Sequence, residues 1–111
     1  MSHRERQLIS RRLLLELDKT AREFKKRGIK LFIFGSIAET YPASFRGADL
    51  DLGYELSTED EASEALEREL AKSIGELPTI RPIDLVNFSK AGHRFKATAS
   101  RKIIKLPVGH E

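Results

Sequence analysis

The chain has 111 residues, of which 40% are apolar and 33% charged, a balance that predicts one domain, residues 1–111, and excludes a wholly disordered chain. It contains no cysteine, which excludes a disulfide framework, a thiolate metal site and a cysteine nucleophile. Its longest apolar runs, residues 13–15 and 31–34, fall far short of the roughly 20 residues that a membrane-spanning helix needs. The opening residues lead into no signal-like stretch, so the expectation is a soluble, unprocessed, cytoplasmic protein. Net charge is +3 but uneven: Lys and Arg number 10 against 4 acids in residues 1–30, 4 against 12 in 31–89, and 6 against 1 in 90–111. Basic ends suit phosphates or an acidic partner, or are plain solvated faces. The acidic centre raises the question of what neutralises it.

In chain order, Ile9, Leu13, Leu17, Ala21 and Phe24 fall at helical spacing, which predicts an amphipathic helix over residues 3–27. Lys25, Lys26 and Arg27 suit its last turn and Gly28 its end. Leu8 and Leu15 lie off this stripe, as scattered surface leucines or as the start of a second interface. Residues 30–34 read as a buried strand stopped by Gly35. A short helix over 36–41 and a loop over 42–47 follow. Leu50, Leu52 and Tyr54 alternate with Asp49, Asp51, Gly53 and Glu55, the pattern of a strand with one apolar and one carboxylate face. Residues 57–61 resemble a capping box, opening a helix whose stripe is Ala62, Leu66, Leu70 and Ile74, closed by Gly75. A third strand is expected over 81–88, with Ile83, Leu85 and Asn87 on one side and Pro82, Asp84, Val86 and Phe88 on the other. A short helix over 91–100 and a strand over 103–106 complete the chain. The fold class is α/β (α+β), with a small mixed sheet of about four strands flanked by helices.

Asp49 and Asp51, at i and i+2 on a strand, project from one face about 7 Å apart and repel unless a cation lies between them. A hard cation such as Mg²⁺ resolves that repulsion, since it takes oxygen ligands from one or two carboxylates plus substrate phosphates. Asp84 supplies a third carboxylate if the two strands are neighbours, and three acids on one face make a two-metal site. An Asp-x-Asp on a solvated edge strand is otherwise common and structural. The added feature is Gly35-Ser36 directly after a buried strand, where glycine allows close approach to a phosphate and the hydroxyl and backbone N–H groups can donate.

The succession Leu31-Phe32-Ile33-Phe34-Gly35-Ser36, then Ala48-Asp49-Leu50-Asp51-Leu52, then Ile83-Asp84-Leu85-Val86 resembles the signature of the DNA polymerase beta-like nucleotidyltransferases, in particular the minimal nucleotidyltransferase group, over residues 20–106. The resemblance implies that Gly35 and Ser36 hold nucleotide phosphates, that Asp49 and Asp51 bind two Mg²⁺ ions, and that Asp84 helps bind metal or activates the attacking hydroxyl. The implied reaction is transfer of a nucleoside monophosphate, AMP from ATP, to a hydroxyl. Arg46 is a candidate clamp on the triphosphate or a solvated loop residue, and His93 reads as a surface residue. The chain departs from the family pattern in a longer stretch between Ser36 and Asp49 and in Ala48, where serine is frequent.

Superfamily members usually carry a second substrate domain, for which this sequence has no residues, so the acceptor is expected on another chain. The resemblance implies a small helical HEPN-type partner, as in toxin–antitoxin pairs whose antitoxin adenylylates the toxin. A homo- or hetero-oligomer is expected, because a thin sheet leaves an apolar face to cover. The alternative is a catalytically idle module that neutralises its partner by binding. RNA binding by the basic segment over 90–105 ranks lowest, since few aromatics accompany its charges.

Overall fold

The computed structural model describes residues 6–41, 43–45, 49–57, 61–79, 81–89 and 102–108. The elements run β1 (Arg6–Leu8), α1 (Arg11–Lys25), β2 (Ile29–Phe34), α2 (Gly35–Thr40), β3 (Ala43–Phe45), β4 (Leu50–Leu56), α3 (Glu61–Gly75), β5 (Ile83–Asn87) and β6 (Ile104–Lys105). They form a mixed α+β structure with an open four-stranded sheet of order β5-β4-β2-β6, beside a two-stranded β1-β3 ribbon. Among the described residues no helix is long and apolar enough to cross a membrane.

The first helix begins at Arg11, not near residue 3. Ser10 is its N-cap and accepts the Leu13 N–H at 3.4 Å, satisfying one of the donors that a helix start leaves free. Residues Arg6–Leu8 instead pair antiparallel with β3, which occupies part of the expected 42–47 loop. That pairing is non-local, so neither partner's own periodicity announces it. The predicted stripe is otherwise inward: Leu13, Leu17, Ala21 and Phe24 are buried, as is Ile9 just before the helix. In α3 the buried positions are Ser63, Leu70 and Ile74, with Leu66 half-buried and Ala62 exposed. A run of strict four-residue steps drifts about 40° per step around a helix, which carries Ala62 off the face that Ile74 occupies. The helix expected over 91–100, and most of the capping box at 57–61, lie outside the described residues.

Strand alternation divides the sheet into two faces. Leu31, Ile33, Leu50, Leu52 and Tyr54 join Leu17, Phe24, Leu70 and Ile74 in the main core, so this face carries α1 and α3. The opposite face carries Phe32, Phe34 and Phe88, whose rings meet edge to face with Phe88 at 4.9 and 5.0 Å from the other two, the favoured arrangement for aromatic quadrupoles. Gly53 lies beneath them: a Cβ there would stand 2.5 Å from the Phe32 ring and 2.7 Å from that of Phe88. A side chain at position 53 would therefore displace the rings.

β4 and β5 are parallel, which requires a crossover, and α3 supplies it. Their register is Leu50↔Ile83, Asp51↔Asp84 and Tyr54↔Asn87. Glu67 of α3 ties the last of these pairs together: its Oε1 accepts the Tyr54 hydroxyl at 2.5 Å and the Asn87 amide at 3.0 Å. Burial and this hydrogen bond to Glu67 push the Tyr54 hydroxyl's pKa upward, so it remains a donor at neutral pH. The Leu50 N–H bonds the Pro82 carbonyl at 2.9 Å and the Phe88 N–H bonds the Tyr54 carbonyl at 2.8 Å, closing both ends of the ladder. On the far side of α1, the buried Asp18 accepts the Val108 N–H at 2.8 Å and anchors the segment after β6.

Glu67→Ala is expected to lower unfolding free energy by about 1–3 kcal/mol in urea titrations, because it leaves two buried-side donors without their acceptor. Tyr54→Phe, which leaves the Asn87 contact in place, should lose only about 0.5–1.5 kcal/mol.

Candidate active site

Two of the three aspartates, Asp51 and Asp84, come from adjacent strands and belong to the aromatic face of the sheet. Asp49 is exposed just before β4, Asp51 is half-buried in β4, and Asp84 is exposed in β5. Asp51 and Asp84 are register partners on adjacent parallel strands, so strand alternation aims both at the same side. Burial, followed by the charges of Asp84 and Asp49, raises the Asp51 carboxyl above the ordinary carboxylate range. Two like charges therefore act on a carboxylate that is already partly out of water, the condition under which ionisation is disfavoured.

β2 delivers the second component. Phe34, its last residue, is the register partner of Asp51, and the chain then turns at Gly35 with φ +79°. A Cβ added at Gly35 would collide with the Asp51 carboxylate oxygen and stand 3.2 Å from its Cγ. Glycine is required here twice over, for the left-handed backbone and for the missing Cβ. Ser36 follows, exposed. Because α2 is only six residues long, the close approach at Gly35 is the chemically useful feature of this turn, ahead of any helix dipole.

Of the predicted site residues, Asp51 and Asp84 therefore share one end of one sheet face, Gly35 is packed on Asp51, Asp49 stands just before β4, and Ser36 follows Gly35 in α2. Arg46 and His93 lie outside the described residues. Among the described residues no group of three or more acidic or histidine side chains is gathered closely enough to enclose a metal ion. Mg²⁺ needs no such cage, since it is commonly held by one or two carboxylates and completed by phosphate oxygens and water. The donor set fits it on chemistry: hard oxygen ligands, and a repulsion around the half-buried Asp51 that a divalent cation relieves.

The pattern did not single out the aromatic border of this site. Phe34 flanks Asp51, and Phe88 packs on Phe34; the signal was present in Phe32 and Phe34 at alternate positions of β2 and in Phe88 on the Asp84 side of β5. No protein-family model matches the chain, and no curated protein matches it.

A group whose pKa is raised on folding contributes stability below its unfolded value and loses it as pH rises through the folded value. For Asp51 that contribution is complete below the ordinary value of 3.8 and is lost at neutral pH. In metal-free buffer Asp51→Asn should therefore be more stable than the parent at pH 7, with the gap closing on acidification, as read by thermal melts across pH. Gly35→Ala should cost about 1–3 kcal/mol in urea titrations, through the left-handed backbone and the collision with Asp51.

Proposed function

We propose that this chain has the polymerase beta-like nucleotidyltransferase fold and acts as a minimal nucleotidyltransferase, moving AMP from ATP to a hydroxyl on a partner protein. The observation that carries this reading is the pairing of Asp51 with Asp84 in register, with the Gly35 turn packed on Asp51. A purely structural strand has no use for a carboxylate destabilised by two neighbours and pressed against a left-handed glycine.

In this reading Asp49, Asp51 and Asp84 would supply carboxylates to one or two Mg²⁺ ions, one or two carboxylates to each, with phosphate oxygens and water completing the coordination. When bound, the cation neutralises the triphosphate and lowers the pKa of the acceptor hydroxyl. Gly35 lets the backbone approach the phosphates, the Ser36 hydroxyl and N–H donate to their oxygens, and Arg46 clamps the triphosphate charge. The acceptor oxygen forms a bond to the α-phosphorus while the bond from that phosphorus to the bridging oxygen breaks and pyrophosphate leaves. Asp84, exposed at the edge strand β5, takes the acceptor's proton, the task of a carboxylate within hydrogen-bond reach of the reacting group. The acceptor is a hydroxyl of a small helical HEPN-type protein, with which this chain forms an antitoxin–toxin pair in the cytoplasm.

The second reading, an idle module that masks the same partner, is favoured by Leu15, a large apolar side chain 58% exposed on α1. α1 packs on the helix-covered face of the sheet, away from the aspartates, so a contact there does not need them.

Incubating this protein and its partner with α-labelled ATP and Mg²⁺ separates the two. Covalent label should appear on the partner, and Asp49→Ala or Asp84→Ala should reduce its rate at least about hundredfold, the scale for groups that act in the transition state. Absence of label, with neutralisation of the partner equal in the parent and in Asp49→Ala, would establish the masking reading instead.

A further inference from the structure

The face that carries the aspartates is chemically opposite at its other end. Along β4, Glu55 lies four residues beyond Asp51 on the same side, about 13 Å away at the strand rise. Around it opens a cavity of about 440 Å³ whose walls include Lys25, Lys30, Lys105 and Glu55 and whose floor includes Phe32 and Phe88. That volume lies within the range of small-molecule sites, roughly 300–1,000 Å³. None of the aspartates lines it.

Three lysines and one glutamate give the walls a formal charge of +2. All four residues are exposed, and among the described residues none of the three ammonium groups is in an ion pair or a side-chain hydrogen bond. Glu55 is the register partner of Lys30, yet the structure places no ion pair between them. The lysines approach from three separate elements, the end of α1, β2 and β6, so their convergence is a property of the fold and not of a local basic run. Beneath the lining, Phe32 and Phe88 are buried and packed edge to face at 4.9 Å, with Gly53 leaving them room.

We infer that this pocket binds a small divalent organic anion with an aromatic body, of the class of aryl phosphate monoesters. The ring lies against the apolar lining, chiefly the half-buried Ile103 and what remains accessible of Phe32, and the phosphate takes hydrogen bonds from the lysine ammonium groups, for which charge-assisted contacts are the strong kind. The acidic end of the same face would repel such a ligand, so occupancy is confined to the basic end.

The experiment titrates the full chain with 1-naphthyl phosphate in EDTA, so that no divalent cation bridges the phosphate to the aspartates, following backbone amide shifts by NMR and affinity by calorimetry. Saturable binding is expected, with shifts centred on Lys30, Phe32 and Lys105 and none at Asp51 or Asp84. The Lys30→Glu/Lys105→Glu variant changes only exposed side chains and should bind at least about tenfold more weakly, two charged hydrogen bonds being lost. Neutral 1-naphthol and inorganic phosphate should each bind at least about tenfold more weakly than the intact ligand. Equal binding of either fragment, an unaffected double variant, or the absence of saturation would overturn the inference. So would tighter binding of a single-stranded RNA with shifts running beyond the pocket. Because the assay contains neither metal nor nucleotide, its result is independent of the proposed nucleotidyl transfer.

Discussion

The register between β4 and β5 is the constraint on which the rest of this structure depends. Side chains alternate along a strand, so a slip of one residue turns every side chain to the other face. Slipped by one, β5 would point Asp84 into the helix-covered core and Leu85 toward Asp51. Three contacts hold the register: backbone bonds at both ends of the ladder, and Glu67, which grips the partners Tyr54 and Asn87 at once. The residue that fixes the aspartates thus reaches the sheet from α3, on the side remote from them. That arrangement keeps the clamp on the side of the main hydrophobic layer, away from the carboxylates.

Held this way, the acids raise the energy of the folded state. A half-buried carboxylate beside two others is disfavoured in its charged form, and the Asp51 carboxyl responds by moving upward. The penalty is limited because Asp49 and Asp84 are exposed, where solvent screens much of their mutual repulsion. The penalty falls chiefly on one residue of an interior strand, and it has to stay small because whole domains are stable by only about 5–15 kcal/mol. The same face then passes through a stacked aromatic trio to a group of lysines. Its two ends carry opposite charge, separated by side chains that admit neither.

Much of this was legible in the sequence, for reasons that can be named. Alternation in residues 50–55 and 83–88 gave the two faces of β4 and β5, because period-two burial is imposed by the strand itself. The stripe of α1 was legible because Leu13, Leu17, Ala21 and Phe24 keep to one side of a 3.6-residue period. The start of that helix was not, because Arg6–Leu8 owes its strand conformation to β3, more than thirty residues away in the chain. Ala62 continues a four-residue repeat whose period the helix does not share, so it is exposed, while Ser63 is buried instead. At the site, the adjacency of Asp51 and Asp84 was conditional on two strands being neighbours, a question of topology that spacing leaves open. The lysine pocket was invisible, since Lys25, Lys30 and Lys105 converge only after β2 and β6 pair.

Two glycines show where local preference yields to the shape of this face. Strand interiors favour β-branched and aromatic residues, and glycine there weakens the strand. Gly53 nevertheless occupies the middle of β4, because the space its side chain would fill is taken by the rings of Phe32 and Phe88. Gly35 ends β2 in a left-handed conformation, because any Cβ there would strike Asp51. Each glycine gives up local stability to allow a close approach, and sequences break local rules where the tertiary structure gains from it. One approach seals the aromatic floor and the other sets a backbone turn on a carboxylate, so the two chemical ends of the face are both built on an absent side chain.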